Sequence, residues 1–265
     1  MPTTSPIAVV TGASSGIGAV YADRLAARGY DLLLVARRIE RLRSLADTLS
    51  EAHGIQAGII EADLTEEKSL VHIEELLGSD ERIALLVNNA GNGKLSSTGD
   101  MSDADTASTI ALNVIAPTRL TRAVLPAFLK RDAGAIINIA SVMAFHSLPI
   151  TTLYSATKSY VLALSRGLQG EVSGTGVRVQ VVLPAGTATE FYDHAGIPLS
   201  AFDPAAVMTT ENLVDAALAG FDQGEDVTLP SVHNTELWAD YEQARAALFG
   251  ATQVGIPAPR YLVNS

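Results

Sequence analysis

Short runs of aliphatic and β-branched residues alternate along the chain with longer stretches whose apolar positions recur every three or four residues. The short runs are IAVV (7–10), DLLLVA (31–36), GIIEA (58–62), ALLVNN (84–89), AIINIA (135–140), VRVQVVL (177–183) and DVTLP (226–230). Their length and composition predict strands. The intervening period predicts helices, for example from Ala19 to Arg28 and from Ile39 to His53, each followed by a glycine (Gly29, Gly54) suited to the left-handed turn that ends a helix. Strands that are apolar at nearly every position must be covered on both faces, and their alternation with helices calls for right-handed crossovers between parallel strands. The pattern predicts an α/β fold: a doubly wound parallel sheet of about seven strands with helices on both faces.

No fixed-period repeat and no linker rich in proline, glycine or serine interrupts this alternation, so a single domain over 1–265 is expected, with a core over about 6–185. The least regular region, 186–210, contains Gly186, Gly196, Pro198 and Pro204. It is read as a substrate lid, the alternative being an ordinary surface connection. LWADYEQARAALF (237–249) has helical periodicity and is read as a late helix or a partner contact.

Composition narrows the partners. With 48 % hydrophobic and 18 % charged residues the chain is not mainly disordered. Eighteen basic residues against 29 acidic ones give a net charge of −11, which argues against nucleic acid and anionic lipid as partners. The chain lacks cysteine, and its five histidines are scattered without ligand spacing, so no metal site is expected. The start lacks the basic and long apolar segments of a signal peptide, and no run approaches the roughly 18 apolar residues of a membrane span. A cytoplasmic protein is expected.

Candidate chemistry begins where the first strand runs into TGASSGIG, with glycines at 12, 16 and 18, and then into a helix. Gly12 and Gly16 allow a tight turn and close approach to a pyrophosphate, the helix start offers unpaired N–H groups, and Gly18 allows close packing of helix on strand. The spacing departs from the commoner Gly-x-Gly-x-x-Gly, so it fits a dinucleotide turn by mechanism rather than by pattern. The second strand ends in Ala36, Arg37 and Arg38 where an NAD site places a carboxylate. Arg37, Arg38 and Arg41 also crowd the positive end of the next helix, an arrangement that an anion would relieve. The 2′-phosphate of NADP suits the planar donor fork of arginine, the alternative being arginines on a solvated turn. Asp63, at the end of the third strand, has two readings: it holds an adenine amino group, or it caps a helix starting near Thr65. NNAG (88–91) suits a turn close to a cofactor, with Asn88 placed to tie neighbouring strands.

Farther along, Tyr154 and Lys158 are spaced to share one helix face. Ser141 ends the strand before them. Asn113 lies in a helical stretch in which Pro117 has no N–H to offer the Asn113 carbonyl, leaving it able to hold a water.

Through TGASSGIG, NNAG, Asn113, Ser141 and YSATK, in order over about residues 6–190, the sequence resembles the classical short-chain dehydrogenases/reductases. The resemblance implies a Rossmann fold, a nicotinamide cofactor and a catalytic tetrad that falls on Asn113, Ser141, Tyr154 and Lys158. It implies cofactor contacts at Gly12, Ser14, Ser15, Gly16, Ile17, Gly18, Asn89, Ala90, Gly91, Tyr154, Lys158 and Thr187, besides Arg37, Arg38 and Asp63. Arg37 is similar to the pattern of NADP-preferring members, so NADP(H) is the expected cofactor and NAD(H) the alternative. PAGTATEF departs from the family, with Ala185 where a glycine is usual, which weakens the carry-over to Thr187 and more so to Thr189. The implied activity is interconversion of a small-molecule carbonyl and alcohol by hydride transfer. NAD-linked alcohol dehydrogenation and a non-catalytic dinucleotide sensor are the alternatives.

The roles also follow from physics. An oxygen gathering negative charge needs donors that strengthen in the transition state, which Ser141 and Tyr154 supply. A lysine ammonium about 5 Å from a tyrosine, at an effective dielectric near 20, contributes on the order of 3 kcal/mol, so Lys158 is expected to bring Tyr154 below its usual pKa. The segments 142–149 and 186–210 are expected to form the substrate pocket, with Phe145, His146, Phe191 and Tyr192 as lining candidates for a mid-sized, partly apolar substrate. By resemblance, 102–131 and 152–173 are interface candidates for a homodimer or homotetramer.

Overall fold

The computed structural model describes residues 5–262. Contacts divide the chain into one unit through Ser231 and a second from Val232 onward. The first unit is a seven-stranded sheet in the order β3-β2-β1-β4-β5-β6-β7, every neighbouring pair parallel. The strands are β1 (Ile7–Thr11), β2 (Asp31–Ala36), β3 (Ala57–Glu61), β4 (Ile83–Asn88), β5 (Gly134–Ile139), β6 (Val177–Val182) and the short β7 (Val227–Thr228). Crossovers are made by α1 (Gly16–Ala27), α2 (Ile39–His53), α3 (Glu67–Ser79), α4 (Asp103–Ile110), α5 (Ala116–Lys130), α6 (Thr152–Glu171), the short α7 (Phe191–Ala195) and α8 (Thr210–Gln223). The strand order reverses between β1 and β4, which opens a crevice at the carboxyl edge of the sheet.

Strand alternation separates two cores. Ala8 and Val10 of β1 pack with Leu25, Leu42, Leu213 and Val214 on one face. Ile7 and Val9 pack with Ile73, Leu120, Phe128 and Leu168 on the other. This two-residue period places α1, α2 and α8 on one side and α3, α5 and α6 on the other, the doubly wound arrangement the sequence predicts.

Two helix starts differ from the sequence expectation. Helix α1 begins at Gly16, not Ala19, because the glycine turn itself supplies the first helical residues before any apolar periodicity is visible. Helix α3 begins at Glu67, since residues 63–66 form a turn in which Glu66 N–H donates to the Asp63 carbonyl at 3.0 Å. Helix α2 matches its predicted span and ends at Gly54 with φ +69°.

The segment 186–210 closes at its base. Ala188 N–H donates to the Met208 carbonyl at 2.9 Å and Met208 N–H to the Gly186 carbonyl at 2.8 Å. The second unit contains α9 (Glu236–Ala251), the late helix expected near 237–249, with Trp238 and Tyr241 stacked at 5.1 Å. Among the described residues no helix is long and apolar enough to cross a membrane.

Candidate active site

The turn after β1 is built by its glycines and by Asn89. Gly12 has φ +67° and Gly16 φ +55°, a region that favours glycine. A Cβ on Gly12 would lie 2.8 Å from Asn89 Nδ2, and one on Gly18 would lie 2.4 Å from the Gly12 carbonyl oxygen. Asn89 Nδ2 donates to the carbonyls of Thr11 (2.9 Å) and Gly12 (3.3 Å). Thr11 Oγ1 donates to the Val87 carbonyl and accepts the N–H groups of Asn89 and Ala90, each at 3.0 Å. These bonds fasten the turn to the end of β4. They make Thr11 a positioning residue that the sequence reading passed over, and they commit the Asn89 amide to the protein. Ile17 packs partly buried against the core. The α1 N-terminus has no acidic side chain in its first turn and no side-chain cap on its N–H groups, so its positive end is available to an anion.

The arginines differ in role. Arg37 is 71 % exposed at its side chain and lies 3.6 Å from Asp63 Oδ2. Arg38 turns to the glycine loop, donating to Ser14 Oγ at 3.1 and 3.0 Å and to Ser15 Oγ at 2.5 Å. Its third nitrogen donates to Glu190 Oε2 at 2.6 Å, while Arg41 donates to Glu190 Oε1 at 2.7 Å. Glu190, unremarked in the sequence reading, supplies the anion that the crowded start of α2 calls for, and the two guanidinium groups hold its carboxyl down at about 2. Asp63 Oδ1 accepts both the N–H (2.9 Å) and the Oγ1–H (2.7 Å) of Thr65. The capping side of its two readings is thus present as a turn rather than a helix cap. Asn88 bonds Asn138 Oδ1 (2.9 Å) and Thr121 Oγ1 (3.1 Å), tying β4 to β5 as expected.

At the other end of the crevice, Lys158 is buried and its Nζ donates to the carbonyl of Ile139, the last residue of β5, at 2.9 Å. That bond docks α6 on the sheet edge that also presents Ser141. The Ser141 hydroxyl lies close enough to Tyr154 to act on its titration, while it donates to the Pro184 carbonyl at 3.4 Å and accepts from Met143 N–H at 3.1 Å. Lys158 Nζ is 5.7 Å from the Tyr154 ring centroid. Asn113 sits in a π-helical turn (Ala111–Ile115), where Ala116 N–H reaches back to Ala111. Pro117, with no N–H to continue the α pattern, is the local reason for the irregularity. The Asn113 side chain accepts from Asn92 N–H (3.0 Å) and donates to the Asn92 carbonyl (2.7 Å) and Thr157 Oγ1 (3.1 Å). It clamps the loop after β4 against α6. Between them runs Gly91, whose Cβ would lie 3.2 Å from Asn113 Oδ1 and 3.4 Å from Lys158 Nζ.

One electrostatic expectation is corrected. Burial pushes Tyr154 up to about 12, with the nearby Ser141 hydroxyl acting to lower it. Burial also pushes Lys158 down to about 8. Desolvation is the leading cause for both groups, so neutral tyrosine is strongly favoured near pH 7 and Lys158 is poised to titrate just above it.

The segment after β6 reaches both ends of the crevice. Thr187 is buried, with Oγ1 bonded to the Ala185 carbonyl at 3.1 Å. The Thr189 methyl would lie 3.2 Å from a Cβ on Gly16. Phe191 meets Tyr154 at 5.3 Å between ring centroids, Tyr192 meets Phe191 at 5.5 Å, and Phe202 meets Tyr192 at 4.9 Å. An aromatic wall beside the Tyr154 ring results, including two of the expected lining residues, whereas Phe145 and His146 are exposed. Gly93, also unremarked in the sequence, makes room for it: a Cβ there would lie 2.6 Å from Tyr154 Cδ2 and 3.1 Å from Phe191 Cζ. Gly93→Ala is expected to lower kcat by about tenfold or more through displacement of the Tyr154 ring, with little change in thermal stability. Steady-state kinetics and a melting curve check it.

The donor set fits a phosphorylated dinucleotide: a glycine turn at an uncapped helix start, serines and arginines grouped at one end, and a buried lysine at the other. Comparison with known proteins agrees with this reading. Residues 6–196 match the model of the short chain dehydrogenase family. A very-long-chain 3-oxoacyl-CoA reductase of Anas platyrhynchos is 37 % identical over 187 residues, 69 % of this chain and 60 % of that protein. The aligned stretch thus spans about three fifths of the length of the first curated relatives. Among solved structures, a short-chain dehydrogenase from Sphingobium yanoikuyae in complex with NADPH superposes with a TM-score of 0.93 at 43 % identity, covering 97 % of this chain and 100 % of that one. A bulky-bulky ketone specific alcohol dehydrogenase from Comamonas testosteroni gives 0.90 at 41 % identity, covering 98 % and 100 %. With the family model spanning most of the sheet, the glycine turn and the Ser141, Tyr154 and Lys158 positions, the chain belongs to the short-chain dehydrogenase family.

Proposed function

We propose that the protein is an NADP(H)-dependent oxidoreductase that interconverts a ketone and a secondary alcohol. The observation that carries this reading is the grouping of Ser141, Tyr154 and buried Lys158 at the sheet edge that also bears the glycine turn. Ser14, Ser15, Arg37 and Arg38 would hold the 2′-phosphate end, the α1 N-terminus the pyrophosphate, and Lys158 and Thr187 the nicotinamide end. The cofactor supplies the hydride. Tyr154 holds the proton that the substrate oxygen takes up, and Ser141 both orients that hydroxyl and offers a second donor to the developing oxyanion. Lys158 supplies positive charge behind Tyr154. Asn113 holds the loop and the α6 face in register, and its main-chain carbonyl, to which Pro117 has no N–H to offer, would bond a water for proton exchange.

The aromatic wall of Phe191, Tyr192 and Phe202 supports a ketone with bulky apolar substituents as substrate class. The Comamonas relative, named for bulky-bulky ketones, points the same way. We further propose that the protein works in the cytoplasm as a homo-oligomer, with the α4–α5 and α6 faces as its interface. The test is reduction of a ketone series with NADPH and with NADH: aryl ketones with two large substituents should outrun small ketones, and NADPH should be preferred. A flat response across the series would remove the substrate class, and equal use of both cofactors the 2′-phosphate assignment.

The pH dependence has a definite sign. Reduction needs Tyr154 protonated and Lys158 charged, conditions met below the Lys158 pKa of about 8. The rate of reduction should be level at neutral pH and fall as pH rises through about 8. In Lys158→Met a lower rate should persist without that inflection. Full pH–rate profiles of both proteins check it.

A further inference from the structure

Glu190 stands between two parts of the site that sequence separates. Its two carboxylate oxygens accept from different arginines, Oε2 from Arg38 at 2.6 Å and Oε1 from Arg41 at 2.7 Å. Arg38 in turn grips Ser14 and Ser15 on the glycine turn. Glu190 directly precedes Phe191, whose ring packs on Tyr154 at 5.3 Å. The carboxylate therefore engages the same guanidinium that, on the NADP reading above, serves the 2′-phosphate, and it tethers the start of the aromatic wall to that guanidinium.

We propose that Glu190 is a specificity-determining residue, an internal anion that holds the 2′-phosphate arginines until a 2′-phosphate displaces it and thereby frees the segment carrying Phe191 and Tyr192. Two anions compete for one guanidinium fork, so a ligand bearing the 2′-phosphate must separate Glu190 from Arg38 or share the fork with it against like-charge repulsion. A ligand lacking that phosphate leaves the bridge intact. By reciprocity, whatever loosens the segment lightens the cost of binding the phosphate. The proposal rests on the NADP reading, and its test separates the two.

The experiment titrates wild type and Glu190→Gln with adenosine 2′,5′-bisphosphate and with adenosine 5′-monophosphate by calorimetry, so that no turnover is involved. Glu190 is 42 % exposed at its side chain, and the isosteric amide keeps its shape, so folding is not at stake. Wild type should bind the bisphosphate more tightly than the monophosphate. Glu190→Gln should tighten the bisphosphate by about three- to fivefold, the scale of an exposed charge pair, and leave the monophosphate unchanged. Unchanged or weaker bisphosphate binding in the variant would overturn the proposal while leaving the NADP reading intact. Equal affinity of wild type for both ligands would remove the NADP reading and the proposal with it. Chymotryptic cleavage at Phe191, Tyr192 or Phe202 should rise when the bisphosphate is added to wild type and be raised already in Glu190→Gln. Cleavage unmoved by either change would overturn the coupling.

Discussion

Tyr154→Phe should lower turnover by about 10²- to 10⁴-fold, the usual worth of a positioned general acid, while NADPH affinity stays within about twofold. The substitution removes the hydroxyl near Ser141 and leaves the ring that packs on Phe191. Because the half-buried ring keeps its contacts, the melting temperature should hardly move. The comparison that decides is kcat against the dissociation constant of NADPH measured by nicotinamide fluorescence. Loss of kcat alone supports proton donation by Tyr154, and near-native kcat would exclude it. Ser141→Ala should lose less, because one donor to the oxyanion remains.

Gly18→Ala should act through the fold of the turn instead. A Cβ there would lie 2.4 Å from the Gly12 carbonyl oxygen and 2.5 Å from Asn89 Nδ2. The oxygen belongs to the backbone of the turn, and the amide is fixed by its own bonds to Thr11 and Gly12, so neither can yield cheaply. Overpacking of this kind costs about 1–3 kcal/mol, which for a chain of this length is about 2–5 °C in melting temperature. NADPH affinity should fall with it. Gly99→Ala is the matched control, since a Cβ there meets nothing within 4 Å, and it should leave both quantities unchanged. A Gly18→Ala protein as stable and as tight-binding as wild type would contradict the close packing of α1 on the turn.

What the sequence made legible was what lies close along the chain or has one plausible chemistry. The alternation of strands and helices gave the sheet, and Ile39 to His53 with Gly54 gave α2 to the residue, because apolar period and helix stop are both local. Tyr154, Lys158 and Ser141 fall at one sheet edge because the end of β5 and the first turns of α6 are near neighbours in sequence. Glu190 and Gly93 were not legible. Glu190 meets Arg38 across 152 positions, and nothing in TATEF marks that carboxylate as an arginine partner. Gly93 matters only because the Tyr154 ring lies over it. The charge state of the pair was not legible for a related reason: the spacing of Tyr154 and Lys158 shows their proximity but not the burial that pushes both groups toward neutrality.

The measurement closest to the central claim follows a deuterium from the transferable position of labelled NADPH into an aryl ketone, in wild type and in Tyr154→Phe. The account predicts label at the carbinol carbon of the alcohol formed by wild type, at a rate collapsed in the variant although its NADPH binding persists. NADPH binding without any transfer of label to ketones, or transfer undiminished in Tyr154→Phe, would contradict it.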